Sequence, residues 1–134
     1  MKRQLRSLVL VLALLAASFV GAADKLELKP GDHIALIGNT LPDRMQHSGW
    51  FEALAYTKFP QHNLVFRNLS MAADELTVRP RSADFGTPAE WLAKVQADVV
   101  FAFFGFNESF KGADGLAKFR DDLTKFIADT RQAN

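Results

Sequence analysis

Short apolar runs alternate with longer amphipathic stretches along this chain. Runs of apolar and β-branched residues predict buried strands, whereas apolar residues that recur every three or four positions predict helices. The predicted strands cover residues 33–38, 64–69 and 99–104. The predicted helices cover 42–58, a stretch that begins at Thr87, and 115–131. The pattern is therefore strand then helix, three times over.

Local signals mark the ends of these helices. Pro42 suits the first turn of one helix, and Pro60 closes it. The next helix begins with Thr87 as a hydroxyl N-cap, Pro88 at the first position and Glu90 three residues after the cap, which is the pattern of a capping box. The last helix has an apolar stripe made of Leu116, Phe119, Leu123, Phe126 and Ile127.

The third strand indicates the class of fold. Residues 99–104 are apolar at every position, which is typical of strands that helices cover on both faces in a parallel sheet. We therefore predict an α/β fold, a flavodoxin-like three-layer parallel sheet with strand order 2-1-3, in which only the first three β/α units are present. The third strand would then have an apolar edge, and we expect a downstream domain or a partner to cover it.

The first 23 residues have the pattern of a signal peptide. A basic start with Lys2, Arg3 and Arg6 precedes an apolar stretch at 8–20, and small residues follow at 21–23. The apolar stretch has 13 residues, whereas a membrane-spanning helix needs about 20. We expect cleavage after Ala22 or Ala23. The mature protein is then expected to be secreted or periplasmic without a stable membrane span, and to form one domain at 24–134.

Composition excludes several classes of partner and cofactor. Of 134 residues, 49% are apolar and 23% are charged, as in ordinary globular proteins. Loss of residues 1–23 leaves 13 basic and 15 acidic side chains, so we expect no nucleic-acid partner. There is no cysteine, which excludes cysteine-based zinc, iron–sulfur and c-type haem sites within this chain. We expect neither a cofactor nor a metal site.

Three polar segments follow the three strands and should meet at the carboxyl edge of the sheet, where such folds bind ligands. They cover residues 38–41, 68–74 and 105–109. In this order and spacing they resemble the conserved blocks of the SGNH, or GDSL-type, hydrolases. The first segment reads Gly-Asn-Thr-Leu at 38–41, where the family has a Gly-Asp-Ser-Leu turn. The second, at 68–74, corresponds to the family's loop from an asparagine to a Gly-Asp pair. The third, at 105–108, matches the family's Gly-x-Asn-Glu. The resemblance is closest to modules of exported proteins from planctomycete-like bacteria.

The resemblance implies an ester hydrolase, with carbohydrate acetyl esters as one candidate class of substrate, and a role for one residue in each block. Thr40 takes the place of the nucleophilic serine. Ala73 takes the place of a glycine whose backbone N–H contributes to the oxyanion hole, and Asn107 takes the place of the side-chain amide donor. The family's Asp-x-x-His block, which supplies the base, has no counterpart in this sequence, so we expect negligible esterase activity. A small-molecule or carbohydrate ester is the expected ligand.

Other interpretations of these residues stay open. Thr40 could cap the helix at Pro42, and Asn107 could be a turn residue that satisfies its own backbone. His33, His47 and His62 are each too far from Thr40 to act as its base.

Several further side chains have expected structural roles. Asn39 is expected to form a turn, and Asp74 and Glu108 to order loops. The phenylalanines of strand three and both tryptophans, Trp50 and Trp91, are expected in the core. Three arginines are expected in solvent: Arg67, Arg79 and Arg81. The loop at 79–81 could instead contact a ligand if it folds over the carboxyl edge of the sheet. The chain could instead be a non-catalytic binding or scaffolding module, or a fragment of a larger protein.

Overall fold

The computed structural model describes residues 25–80 and 84–133. The predicted signal peptide at 1–23 lies outside the described residues. The strands are β1 (His33–Gly38), β2 (Val65–Asn68) and β3 (Val99–Phe103). The helices are α1 (Thr40–Met45), α2 (Trp50–Lys58), α3 (Pro88–Lys94) and α4 (Leu116–Ala133), and a 3₁₀ segment covers Glu108–Gly115.

The three strands form one parallel sheet in the order β2-β1-β3. In the register of this sheet Leu36 of β1 lies beside Asn68 of β2 and Phe101 of β3. The α/β class, the parallel pairing and the strand order 2-1-3 are therefore confirmed for the described residues. The carboxyl ends of all three strands lie at one edge of the sheet, because the strands are parallel.

The central strand β1 forms the core. Ile34, Ala35, Leu36 and Ile37 are all at most 2% exposed, so β1 is buried on both faces. Such a continuous apolar strand is typical of a parallel sheet between helices.

Different helices cover the two faces of the sheet. On one face Ala35 packs with Leu92 of α3 and with Ala97. On the other face the ring of Phe51 in α2 makes edge-on contacts with the rings of Phe66 and Phe101, at centroid distances of 5.7 and 5.8 Å. Helix, sheet and helix therefore form three layers.

The prediction of one helix over 42–58 is wrong. The structure has two helices, and the chain turns between them at Gly49, whose φ of +63° is left-handed and stops α1 from continuing into α2. Trp50, expected in the core, is 74% exposed because α2 contacts the sheet through its neighbour Phe51. A pattern of apolar spacing cannot show such a break when apolar residues continue on both sides of it.

Strand β3 is not covered on both faces, in contrast to the prediction from its apolar sequence. None of its five residues is fully buried, and Ala102 is exposed. The physical reason is its position: within the described residues β3 pairs only with β1, so it is an edge strand. Helix α4 likewise has no buried residue, and Leu116 and Ile127 of its apolar stripe are 48% and 41% exposed.

The capping box at the start of α3 is confirmed. The Glu90 backbone N–H donates to the Thr87 hydroxyl at 3.2 Å, and the Thr87 backbone N–H donates to the Glu90 carboxylate at 2.6 Å. The Thr87 hydroxyl also donates to this carboxylate at 2.9 Å, and the bonds that the carboxylate accepts from the Thr87 backbone N–H and hydroxyl lower the pKa of Glu90. A lowered pKa stabilises the folded state above the ordinary carboxyl pKa, and that contribution is lost as the pH falls through the lowered value.

Replacing the cap should destabilise the fold measurably. We expect Thr87→Ala to lower the free energy of unfolding in urea by about 1 kcal/mol, because α3 loses the acceptor for its first turn. Thr57→Ala is the matched control, since the Thr57 hydroxyl lies in the last turn of α2 and only donates back to the Ala53 carbonyl at 2.8 Å. We expect a change within about 0.5 kcal/mol for the control. Equal losses in the two variants would contradict the cap.

Candidate functional site

The segments that follow the three strands meet at the carboxyl edge of the sheet, and we call residues 38–41, 68–74 and 105–109 together the rim. The Met71 backbone N–H donates to the Gly38 carbonyl at 3.1 Å, and the Asn39 backbone N–H donates to the Phe103 carbonyl at 3.2 Å. The Asn68 side chain donates to the Pro42 carbonyl at 2.6 Å. These bonds attach the loop after β2, and the last residues of β2 and β3, to the segment that follows β1.

One carboxylate joins the third rim segment to the loop that continues from the second. Glu108 accepts from the Leu76 backbone N–H at 2.9 Å with one oxygen and from the Gly105 backbone N–H at 3.0 Å with the other. The expected loop-ordering role of Glu108 is therefore observed. Because both oxygens are used, this carboxylate holds two loops in fixed relation to each other.

Gly38 allows β1 and β3 to approach closely at the rim. Its φ is +142°, and a Cβ at this position would lie 2.7 Å from the carbonyl carbon of Phe103 and closer still to the oxygen. Real Cβ atoms do not approach a backbone this closely. A glycine is therefore required at the point where the first rim segment begins.

Thr40 is the first residue of α1 and is exposed. The alternative interpretation of Thr40 as the helix cap is wrong, because Asn39 is the N-cap and its side-chain oxygen accepts from the Leu41 backbone N–H at 3.4 Å. Asn39 is only 4% exposed, which agrees with a structural role in the turn. Within the described ranges the Thr40 hydroxyl makes no hydrogen bond to the protein.

Ala73 has a left-handed backbone, with φ at +72°, and it is exposed. An L-residue with a Cβ pays about 1–2 kcal/mol for this conformation, whereas glycine adopts it freely. The loop therefore imposes on an alanine the geometry for which glycine is best suited. The only indication in the sequence was the resemblance, which puts Ala73 in the place of a glycine.

Asn107 opens the 3₁₀ segment with a right-handed backbone and is half-buried. Its carbonyl accepts from the Phe110 backbone N–H at 3.3 Å. Its side chain makes no hydrogen bond in the part of the chain that the structure describes, so the amide does not satisfy its own turn there. The structure thus brings the three segments together, while no hydrogen bond directly joins Thr40, Ala73 and Asn107 within those residues.

Two of the three histidines are engaged away from the rim. The His33 ring contacts the Val95 carbonyl at 2.9 Å at the amino end of β1. The His62 ring lies 5.1 Å from the Phe59 ring, ahead of β2. His47 is exposed in the turn after α1. None of them makes a hydrogen bond to Thr40.

Arg79 is not a solvated side chain, in contrast to the prediction. Its guanidinium pairs with Asp74 at 3.1 Å and lies 4.9 Å from the centre of the Phe104 ring. The side chains of Arg79 and Asp74 are 15% and 3% exposed. The sequence could not show this, because the pairing depends on the loop that folds Arg79 back over the end of the sheet. Arg67 is exposed as expected, and Arg81 lies outside the described residues.

A pocket of about 290 Å³ lies beside the rim, and the sequence did not indicate it. Its apolar wall includes Ile37 at the end of β1 and the stacked rings of Phe85 and Trp91, whose centroids are 5.0 Å apart. Its polar side includes Ser70 and Arg79. Neither Thr40, Ala73 nor Asn107 lines it.

No protein-family model matches this chain, and no curated protein or solved structure is similar enough to it to count as a match. Across residues 25–80 and 84–133, no three of the side chains that commonly bind metals cluster together. None of the helices described has the length and apolar character needed to cross a membrane.

The strain at Ala73 can be measured. We expect Ala73→Gly to raise the free energy of unfolding in urea by about 0.5–1 kcal/mol, because relief of the left-handed strain exceeds the added entropy of the unfolded chain. Ala72→Gly is the matched control, since its φ is not left-handed. We expect the control to lose about 0.5–1 kcal/mol. A loss of stability in Ala73→Gly would contradict the strain.

Proposed function

We propose that this chain is an SGNH hydrolase-like domain, related to esterases, with a partial catalytic set at its rim. In this proposal the sheet is the first part of a flavodoxin-like sheet of order 2-1-3-4-5. The domain is exported after removal of residues 1–23, and its natural ligand is a small-molecule or carbohydrate ester.

The observation that carries the proposal is the combination of the rim with the backbone of Ala73. Three consecutive strand ends supply the three segments that resemble the family's blocks. Backbone hydrogen bonds join the first segment to the second and to the last residue of β3, directly before the third. At the glycine position of the second block, Ala73 has the positive φ that glycine adopts freely. Both features are properties of the backbone and do not depend on which side chains would contact a substrate.

The rim residues can stabilise negative charge. In the proposed arrangement the Ala73 backbone N–H and the Asn107 side-chain amide donate to the oxygen of a tetrahedral intermediate. A single donor of this kind contributes about 3–4 kcal/mol to the transition state of acyl transfer. Asn107 is suited to this role because none of the described residues uses its side-chain donors.

Turnover is expected to be very slow. The hydroxyl at the nucleophile position belongs to a threonine, whose methyl group restricts χ1. A hydroxyl of ordinary pKa also needs a neighbouring base, and Thr40 has no hydrogen-bonded histidine or carboxylate among the described residues. The proposed chemistry is therefore recognition of an ester and of tetrahedral negative charge without efficient cleavage.

A second candidate function is a non-catalytic binding module. The pocket beside the rim favours it, because it is bounded mostly by apolar and aromatic residues and is large enough for a small organic molecule. In either function we expect β3 to be covered by a downstream domain or a partner, since an uncharged edge strand otherwise favours aggregation.

The test of the proposed function is binding of a tetrahedral anion. Calorimetry should detect phenylphosphonate binding to the purified protein, and Asn107→Ala should weaken it about tenfold or more through loss of a charge-assisted hydrogen bond. Gln61→Ala, an exposed change ahead of β2 at the opposite edge of the sheet, should have no effect.

Hydrolysis of p-nitrophenyl acetate completes the test. We expect a rate no higher than background. Turnover that disappears in Thr40→Ala would show a competent nucleophile and contradict the expected inactivity. Failure to bind phenylphosphonate, or equal binding by Asn107→Ala and the control, would overturn the oxyanion role of the rim.

A further inference from the structure

The lining of the pocket beside the rim combines the polar residues Ser70, Asp74 and Arg79 with the aromatic rings of Phe85 and Trp91. It lies on the α3 side of the sheet, where Ile37 forms its base and Trp91 contributes from α3. The Phe85 and Trp91 rings stack nearly in parallel, with 16° between their planes. Flat aromatic walls of this kind favour a flat apolar or aromatic ligand.

Most polar groups around the pocket have already used their hydrogen bonds. The Asn68 side chain bonds the Pro42 carbonyl and the Ser70 backbone N–H. The Trp91 indole N–H donates to the Phe85 carbonyl at 2.5 Å. These groups fix the shape of the pocket and have little remaining capacity for a ligand.

Two residues differ from the others in having unused donors. Ser70 is only 9% exposed, and its hydroxyl is buried without a partner among the described residues. The same holds for Nε and Nη2 of Arg79, whose Nη1 pairs with Asp74. A buried donor without an acceptor destabilises a fold by about 1–3 kcal/mol, and such groups in native proteins call for a physical explanation.

The charge balance selects the kind of acceptor. Asp74 already neutralises the Arg79 guanidinium at 3.1 Å, so a second full negative charge at this place would lie near a buried carboxylate. A neutral carbonyl oxygen avoids that repulsion. Its two lone pairs can accept from a hydroxyl and a guanidinium N–H together.

We propose that this pocket binds an uncharged carbonyl compound with an aromatic or other flat apolar body. The carbonyl oxygen accepts from Ser70 and Arg79, and the apolar body packs on Trp91 and Phe85. The site shares Ser70 with the second rim segment, but Thr40 and Asn107 do not line it, and it does not depend on their proposed esterase-like roles.

Tryptophan fluorescence provides a direct readout. The chain has two tryptophans, and Trp50 is 74% exposed on α2, so Trp50→Phe leaves Trp91 as the only tryptophan. Titration of this variant with acetophenone should change Trp91 emission saturably. Ethylbenzene, which lacks the acceptor, should bind about tenfold or more weakly. Benzoate, which adds a negative charge, should also bind more weakly than acetophenone.

Variants distinguish binding in this pocket from binding at Asn107. Added to the Trp50→Phe background, Ser70→Ala should weaken acetophenone binding about tenfold without loss of stability, because it removes a hydroxyl that has no partner in the described structure. Ser48→Ala, an exposed serine in the turn before α2, should change neither property. Asn107→Ala should leave acetophenone binding intact.

Three results would overturn the proposal. The first is the absence of a saturable change in Trp91 emission. The second is equal affinity for acetophenone and ethylbenzene, and the third is unchanged acetophenone affinity in Ser70→Ala. Tighter binding of benzoate than of acetophenone would contradict an uncharged ligand. Loss of acetophenone binding in Asn107→Ala would place the ligand at Asn107 and not in this pocket. Phenylphosphonate binding is measured separately. A failure of acetophenone to bind in the pocket is therefore distinguishable from a failure of the proposed function.

Discussion

The close approach of β1 and β3 at Gly38 is the constraint on which the rim depends. At this point a side chain is excluded by the Phe103 backbone, and the next residue, Asn39, donates to the Phe103 carbonyl. The carbonyl of Gly38 itself accepts from Met71 in the loop after β2. One glycine therefore joins the ends of all three strands, and a bulkier residue there would separate the segments that follow them.

The same edge of the sheet combines polar groups that are satisfied with polar groups that are not. Both oxygens of Glu108 are used to join two loops. In the pocket, buried donors of Ser70 and Arg79 lack partners among the described residues. The satisfied groups give this edge rigidity, and the unused donors give it capacity for a ligand.

The sequence predicted the strands, the capping box and the strand order because each depends on local pattern or on general rules of chain connection. It did not predict the break at Gly49, since apolar residues continue on both sides of it. It placed Arg79 in solvent because burial of that side chain depends on Asp74 and Phe104 coming together in the folded loop. The pocket was missed for the same reason. The roles of Thr40, Ala73 and Asn107 remain predictions from resemblance.

The most direct test of this account is the free energy of unfolding in urea of Gly38→Ala compared with Gly31→Ala. Both glycines have positive φ, but a Cβ at Gly31 meets nothing within 4 Å. We expect Gly31→Ala to lose about 1–2 kcal/mol from backbone strain alone. Gly38→Ala should lose about 1–3 kcal/mol more, because β1 and β3 must also move apart. Equal losses in the two variants would contradict the close junction on which the rim depends.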